Sequence, residues 1–235
     1  MPRSQLIHPL SATPLNMKKL LLLSALSTAC SWAFAGNLVV AVLDKEGKPV
    51  ADAVVVVIPA NKSVLPKTAL PQRAIINQEK MQFIPLVTLV PVGAKVSFVN
   101  NDPWDHHVRS SPAGMGQFNA TNAGFELRLE GKSDGKAAKP SEVVLDKAGV
   151  VGATLMGCFI HGSMRGYIFA SESPWAAKTG QDGTASFEDL PEGSAQVTVW
   201  QADQLVDLAP QPYAVSASPG KISVQLSVVP RRRRT

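Results

Sequence analysis

The chain has 235 residues, of which 45% are hydrophobic and 17% are charged, and this is the composition of an ordinary globular protein. Its formal net charge is +5, but the excess of positive charge belongs to the two ends of the chain. All 18 acidic residues follow position 35, and Arg231 to Arg234 stand near the end of the sequence. The body of the chain is therefore slightly acidic, which excludes nucleic acid as an expected partner.

Residues 1–35 have the pattern of a secretory signal peptide. The basic start Met17-Lys18-Lys19 precedes the apolar run Leu20 to Leu23, and Ala33-Phe34-Ala35 is a small-residue cleavage motif. The apolar run is too short to span a membrane. We therefore expect translation to start at Met17, cleavage near Ala35 and a periplasmic protein. Cys30 offers a lipid anchor as the alternative, but a serine stands three residues before it, where lipoprotein sites prefer a branched apolar residue.

The rest of the sequence predicts an all-β fold. No stretch has helical periodicity of useful length, whereas short valine-rich runs bounded by Gly, Pro, Asn and Asp recur throughout. Runs 38–43 and 53–58 are predicted to form a hairpin around Asp44-Lys45-Glu46-Gly47. A second pair is predicted from runs 83–90 and 95–100. Further strands are predicted at 125–130, 143–145, 150–156, 167–170, 195–200 and 221–228, and a tight hairpin turn at Asp182-Gly183.

The last residues, 229–235, are predicted to be a disordered basic tail, because a run of like charges stays solvated. Its charge suits an anionic membrane surface. We therefore expect any membrane contact to involve Arg231 to Arg234 alone.

Loss of the leader would leave Cys158 as the only cysteine. A lone cysteine in an exported protein cannot form an internal disulfide, so it is an intermolecular partner, a buried inert thiol or a metal ligand. Cys158, His161 and Met164 follow one another with the spacing CxxHxxM at the end of a predicted strand. Thiolate, imidazole and thioether together favour a soft metal ion. Two histidines, one cysteine and a weak axial methionine are the ligands of a blue copper site.

The second imidazole has to come from a distant part of the chain. His106 and His107 follow the predicted strand 95–100. Consecutive side chains of an extended chain face opposite ways, so only one of these two histidines can point at a metal ion. This pattern alone leaves the choice between them open.

Residues 83–110, the strand to Cys158 and the loop through Gly166-Tyr167-Ile168 resemble the plastocyanin and amicyanin family of cupredoxins. The periplasmic proteins named after methylamine utilization are particularly similar, over residues 74–171. The resemblance implies a Greek-key β-barrel over 67–171 that binds one copper ion, Cu(I) or Cu(II). It implies the metal ligands His106, Cys158, His161 and Met164. His107, where many relatives have asparagine, then supports the ligand loop through a hydrogen bond or is the alternative ligand.

The parts of the chain on either side of the copper domain resemble the two halves of another domain. Residues 42–54 look like the opening of a transthyretin-like β-sandwich of the carboxypeptidase-regulatory type, and residues 179–199 look like its close. The resemblance implies one discontinuous sandwich, 36–66 plus 172–228, with residues 67–171 inserted.

The expected function is the transfer of single electrons between a redox donor and an acceptor, and not catalysis. Enzymes with several copper centres need more imidazoles than the three of the mature chain. The family resemblance implies transient docking near His161, on an apolar patch of Pro103, Trp104, Phe159 and Gly162. We interpret Trp104 and Phe159 as packing residues and not as electron relays. Met115 and Met156 are interpreted in the same way and not as copper contacts.

The sequence leaves three alternatives to an electron-carrying copper protein open. A copper carrier or storage protein would use the same four ligands, but it would hold readily exchanging Cu(I) and lack strong colour. A structural binding module would carry only a vestigial metal site. Zinc also accepts cysteine and histidine, and Met164 argues against it because zinc sites are built from Cys, His and carboxylates.

We predict that the exported protein begins near Gly36, because the signal peptidase recognises the small residues of Ala33-Phe34-Ala35. Mass spectrometry of the protein recovered from the periplasm measures this directly. An intact leader, or a lipid-modified Cys30, would contradict the prediction.

Overall fold

The computed structural model describes residues 35–114, 124–136, 138–146 and 152–231, all within one compact unit, Ala33–Thr235. Residues 1–34 of the predicted leader, Met115 and Arg232 to Arg234 lie outside the described residues. The described part of the chain contains β-strands and turns and no α-helix, which confirms the all-β prediction. None of its segments is a helix long and apolar enough to cross a membrane.

Sixteen strands follow one another in the described ranges. They are β1 Ala35–Leu43, β2 Val54–Pro59, β3 Arg73–Glu79, β4 Gln82–Ile84, β5 Val87–Pro91, β6 Lys95–Asn100, β7 His106–Pro112, β8 Glu126–Leu129, β9 Ser141–Val144, β10 Ala153–Cys158, β11 Arg165–Ser171, β12 Ala176–Lys178, β13 Thr184–Pro191, β14 Gly193–Trp200, β15 Gln211–Val215 and β16 Gly220–Gln225.

The strands form four sheets. Strands from the two ends of the chain make the sheets β13-β1-β16 and β12-β2-β14-β15, with an apolar core of mainly valine, leucine and alanine side chains. Strands from the middle of the chain make the sheets β5-β11-β10-β7-β8 and β4-β3-β6-β9, around a second core. The strands of 36–66 and 172–228 therefore share two sheets, and those of 67–171 make the other two. That these two parts are separate domains stays a prediction.

The predicted hairpin of β1 and β2 is wrong, because these strands lie in different sheets. The turn between them does form, since Asp44 Oδ1 accepts the N–H groups of Glu46 at 2.8 Å and Lys48 at 2.9 Å. However, β1 has β13 antiparallel on one side and β16 parallel on the other. Both hydrogen-bonding edges of β1 are occupied, so β2 pairs with β12 and β14 in the facing sheet.

The two other predicted hairpins, one between runs 83–90 and 95–100 and one around Asp182-Gly183, are also wrong. Strand β5 lies beside β11, and β6 lies between β3 and β9. Asp182-Gly183 does form a turn, but the flanking strands β12 and β13 pair with β2 and β1. In each case the turn carries the chain from one sheet to another.

A third apolar core joins the two pairs of sheets. It contains Val54 and Val56 of β2, Phe169 of β11 and Trp200 of β14, together with neighbouring small side chains. The Trp200 ring lies 5.7 Å from Phe169 and 5.4 Å from Tyr167, measured between ring centroids. These contacts fix the sheet β5-β11-β10-β7-β8, which carries Cys158, against the sheet β12-β2-β14-β15 from the ends of the chain.

One end of the five-stranded sheet brings the predicted ligands together. Strand β7 begins at His106, and its antiparallel neighbour β10 ends at Cys158, which pairs with Val108. A short loop carrying His161 and Met164 then leads from β10 back into β11. All four predicted ligands therefore lie at the same end of the sheet.

We predict that Thr179→Val lowers the free energy of unfolding by about 1–3 kcal/mol, because two buried backbone groups lose their partner. The buried Thr179 hydroxyl donates to the Val50 carbonyl at 2.7 Å and accepts the Ala53 N–H at 3.0 Å. Urea unfolding followed by tryptophan fluorescence measures the change. Thr184→Val is the matched control, since its hydroxyl bonds the exposed Asp182. Equal losses in both variants would contradict the prediction.

Candidate metal centre

Two imidazole side chains and one thiol side chain lie close together at the end of the five-stranded sheet where β7 begins and β10 ends. His106 Nδ1 lies 3.1 Å from His161 Nδ1, and Cys158 Sγ lies 3.7 Å and 3.5 Å from these two nitrogens. The three atoms are all within 4.8 Å of one another. His106 is 0% exposed and Cys158 is 4% exposed. In the described ranges no other group of His, Cys, Asp or Glu has metal-binding geometry.

The loop before His106 is fixed by a buried asparagine at the end of β6. The Asn100 side-chain amide donates to the carbonyls of Trp104 at 2.8 Å and Glu130 at 2.9 Å. Its oxygen accepts the N–H of Asp102 at 2.9 Å. The loop that delivers His106 is therefore tied to β6 and to the end of β8.

Asp102 holds the His106 ring. Its carboxylate accepts the backbone N–H groups of Lys80 at 2.6 Å and Met81 at 2.9 Å. One of its oxygens also lies 2.9 Å from His106 Nε2. A carboxylate on one ring nitrogen orients the imidazole and fixes its tautomer. With Nε2 bonded to Asp102, the Nδ1 lone pair faces Cys158 and His161.

The pKa shifts of Asp102 and His106 support the His106 tautomer that carries its proton on Nε2. Burial disfavours the charged form of Asp102, but hydrogen bonds from Met81, His106 and Lys80 outweigh it and lower the pKa of the carboxyl group. Burial also lowers the pKa of His106, against the opposing effect of the Asp102 carboxylate. An ionised carboxylate beside a neutral imidazole accepts the Nε2 proton. His106 Nδ1 is then available as a ligand.

The ligand loop turns sharply after Cys158. The N–H of Met164 donates to the His161 carbonyl at 3.0 Å, which closes the turn. Met164 is buried in the same apolar core as Cys158, whereas His161 is partly exposed. Met164 and Cys158 also line the same cleft. That the Met164 sulfur is the axial ligand stays a prediction.

His107 points away from the three donors. Its Nε2 lies 2.5 Å from Glu126 Oε1, and its ring lies 5.9 Å from the Phe159 ring. Its carbonyl accepts the N–H of Phe159 at 2.8 Å. Arg109, paired with Glu126 at 3.1 Å, lies 4.4 Å above the same Phe159 ring. The structure therefore places His107 against the ligand loop, where it contacts Phe159 through its ring and its backbone carbonyl.

The ligand loop and the loop before His106 carry exposed apolar side chains. Phe159 is 68% exposed and Ile160 is 54% exposed, both directly before His161, and Trp104 in the neighbouring loop is 42% exposed. Pro103 and Gly162 are also exposed. Sequence analysis missed Ile160 because a run of apolar residues after Cys158 does not show which of them is buried. Met156, in contrast, is fully buried in the core.

Sequence analysis also missed Asp102, Asn100 and Glu126. An acidic residue four positions before a predicted histidine ligand was a signal that could have found Asp102. Nothing in the pattern points to Asn100 or Glu126, because their partners lie in other strands.

No family model and no curated protein sequence matches the chain. Among solved structures, it is similar to amicyanin from Paracoccus versutus, with 16% identity over 49% of this chain and 97% of that chain and a TM-score of 0.33. It is similar to auracyanin from Roseiflexus castenholzii, with 17% identity over 43% of this chain and 98% of that chain and a TM-score of 0.34.

A copper-containing nitrite reductase from Thermus scotoductus is also similar, with 22% identity over 57% of this chain and 28% of that chain and a TM-score of 0.33. At such identities and TM-scores these likenesses identify no function. The function has to be inferred from the donor atoms themselves.

We predict that Asp102→Asn weakens copper binding by about 10–100-fold, the usual loss when the partner of a histidine ligand is changed. An amide has one acceptor oxygen in place of two, so at least one of the N–H groups of Lys80, Met81 and His106 would lose its partner and the ring would be held less firmly. Competition with a chromogenic copper chelator measures the affinity. Asp105→Asn is the matched control, because Asp105 lies in the same loop and bonds Gly131 and Arg128. If Asp102→Asn binds copper as tightly as this control, Asp102 does not orient the ring.

Proposed function

We propose that the chain is a periplasmic type 1 copper protein that carries single electrons. The observation that carries this proposal is the convergence of His106 Nδ1, His161 Nδ1 and Cys158 Sγ within 4.8 Å. Met164, which shares a buried core with Cys158, is the proposed axial ligand. The proposed location rests on the signal-peptide pattern of residues 1–35.

The donor set fits copper. A thiolate and a thioether suit Cu(I), and imidazoles suit both oxidation states. Zinc would also accept Cys158 and the two histidines, but the further donor buried in the same core as Cys158 is the Met164 thioether. The buried Asp102 carboxylate is bonded to His106 Nε2 and not to the nitrogen that faces Cys158. When bound, copper would supply a one-electron couple between Cu(I) and Cu(II).

The protein supplies a rigid set of ligands. His106 is held by Asp102, and Cys158 ends a strand that has neighbours on both sides. Rigid ligands change position little between oxidation states, which keeps the reorganisation energy of electron transfer small. His106 and Cys158 are buried side chains, although Cys158 also lines an open cleft. This arrangement favours an electron carrier over a catalyst.

His161 is the proposed route for electrons. It is the partly exposed member of the donor group, and Phe159, Ile160 and Trp104 expose apolar surface near it. An apolar surface around a conducting side chain suits brief docking over a small interface, as electron-transfer complexes usually show. The proposed partners are a redox donor and an acceptor that use this surface in turn.

We predict that the Cu(II)-loaded mature protein is intensely coloured and that Cys158→Ser abolishes the colour, because thiolate-to-copper charge transfer produces it. Met164→Leu should keep both copper and colour and raise the reduction potential, since loss of a weak axial sulfur favours Cu(I). Visible absorption, electron paramagnetic resonance and redox titration measure these changes.

Two histidine variants provide the matched control. His106→Ala should destroy the trigonal set, whereas His107→Ala should keep copper bound, because its side chain contacts Glu126 and Phe159 instead. The opposite result would mean that the ligand is His107. A colourless Cu(II) protein with readily exchanging Cu(I) would favour a copper carrier or storage protein. A protein that binds no copper would favour a structural binding module with a vestigial site.

A further inference from the structure

A cleft of about 590 Å³ lies next to the ligand loop. One wall is formed by the end of the five-stranded sheet, including Gly157, Arg165 and Tyr167, and the other by segments 202–205 and 228–231. Sites for small molecules in proteins usually have volumes of about 300–1,000 Å³. The cleft is therefore large enough for a small organic ligand.

The cleft has an excess of positive charge. Arg165 and Arg231 both line it, and among the described residues neither guanidinium takes part in an ion pair. By contrast, Arg109 and Arg128 are paired with Glu126 and Asp105. The single acidic residue found in its lining is Asp203, which accepts the backbone N–H of Arg231 at 2.8 Å. The two guanidinium groups therefore outnumber the carboxylate.

Tyr167 adds a neutral donor to this wall. Its ring is held by an edge contact with Trp200, with 5.4 Å between the centroids. Burial and the charge of Asp203 raise the pKa of Tyr167, although Arg165 and Arg231 oppose the shift. The phenol stays protonated near neutral pH and can donate a hydrogen bond.

Small residues leave the space open. A Cβ atom added at Gly162 would meet nothing within 4 Å, and one added at Gly157 would meet only the Met164 carbonyl at 3.9 Å. Ala113 and Ala202 complete this part of the lining. The described lining of the cleft therefore leaves space at these positions between the segments that carry Arg165 and Arg231.

We propose that this cleft binds a small organic anion with two or more carboxylate groups, held by Arg165, Arg231 and Tyr167. Guanidinium groups bind carboxylates through two parallel hydrogen bonds, and two separate arginines favour a ligand with two separate carboxylates. Arg165 directly follows Met164, and Cys158 and Met164 also contribute to the lining. The bound anion would therefore lie against the ligand loop, but its binding does not require copper.

The test is calorimetric titration of the metal-free full-length mature protein with citrate at constant ionic strength. We expect one saturable site, and we expect Arg165→Gln and Arg231→Gln each to weaken binding about tenfold or more, as the loss of a charge-assisted hydrogen bond does. Tyr167→Phe should have a smaller effect. Arg73→Gln is the matched control, since it removes the same charge from an exposed arginine of β3 outside the cleft; its affinity should stay within about twofold of wild type.

Amide chemical shifts locate the binding site independently. Citrate should shift the signals of Arg165 and Tyr167 and leave those of Arg73 unchanged.

The absence of saturation, or equal weakening by Arg73→Gln, would overturn the proposal. Inorganic phosphate binding as tightly as citrate would overturn the assignment of a polycarboxylate. Polyglutamate binding without citrate binding would show a protein-docking surface instead. Because the protein is metal-free, failure here would leave the copper proposal standing.

Discussion

Two imidazole nitrogens and a thiol sulfur are held within 4.8 Å of one another, and the folding of the middle of the chain has to satisfy this constraint. Lone pairs only 3.1 Å apart repel unless a proton or a cation lies between them. The side chains therefore need mechanical support. Asp102 supplies it for His106, and two neighbouring strands supply it for Cys158. Asp102 is in turn held by backbone N–H groups of the β3–β4 turn, so the ligand geometry depends on both sheets of this part.

The two histidines of the proposed copper site lie in different environments. His106 faces the interior, where burial keeps its ring neutral, whereas His161 lies on a loop among exposed apolar side chains. The contacts of Phe159 with His107 and Arg109 fix the first residue of that loop from outside. An electron carrier needs both fixed ligands and an exposed ligand. Ligands that stay in place keep the reorganisation energy small, and an exposed ligand allows a partner protein to approach.

Patterns along the sequence predicted most of the strands and the group of His106, Cys158 and His161, but they missed β3, β7 and β15 and did not show which strands pair. Apolar runs and turn residues are local signals, and the turns at Asp44 and Asp182 do form. Whether a turn closes a hairpin or leads to another sheet depends on the free edges of distant strands, and β16 occupies an edge of β1 from the far end of the chain. Asp102 was missed for a related reason. Its partners Lys80 and Met81 lie 22 and 21 residues away, where no periodicity links them.

The central position of β1 also affects the order in which the protein can fold. This strand is the first of the described strands to be synthesised, yet its neighbours β13 and β16 begin at residues 184 and 220. Until those residues are synthesised, an apolar strand has two unpaired edges, and such edges pair readily with other chains. The middle of the chain can complete its own sheets earlier, because their strands end at Ser171. We therefore expect aggregation of incomplete chains to begin at the sheets built from the two chain ends and not at the proposed copper centre.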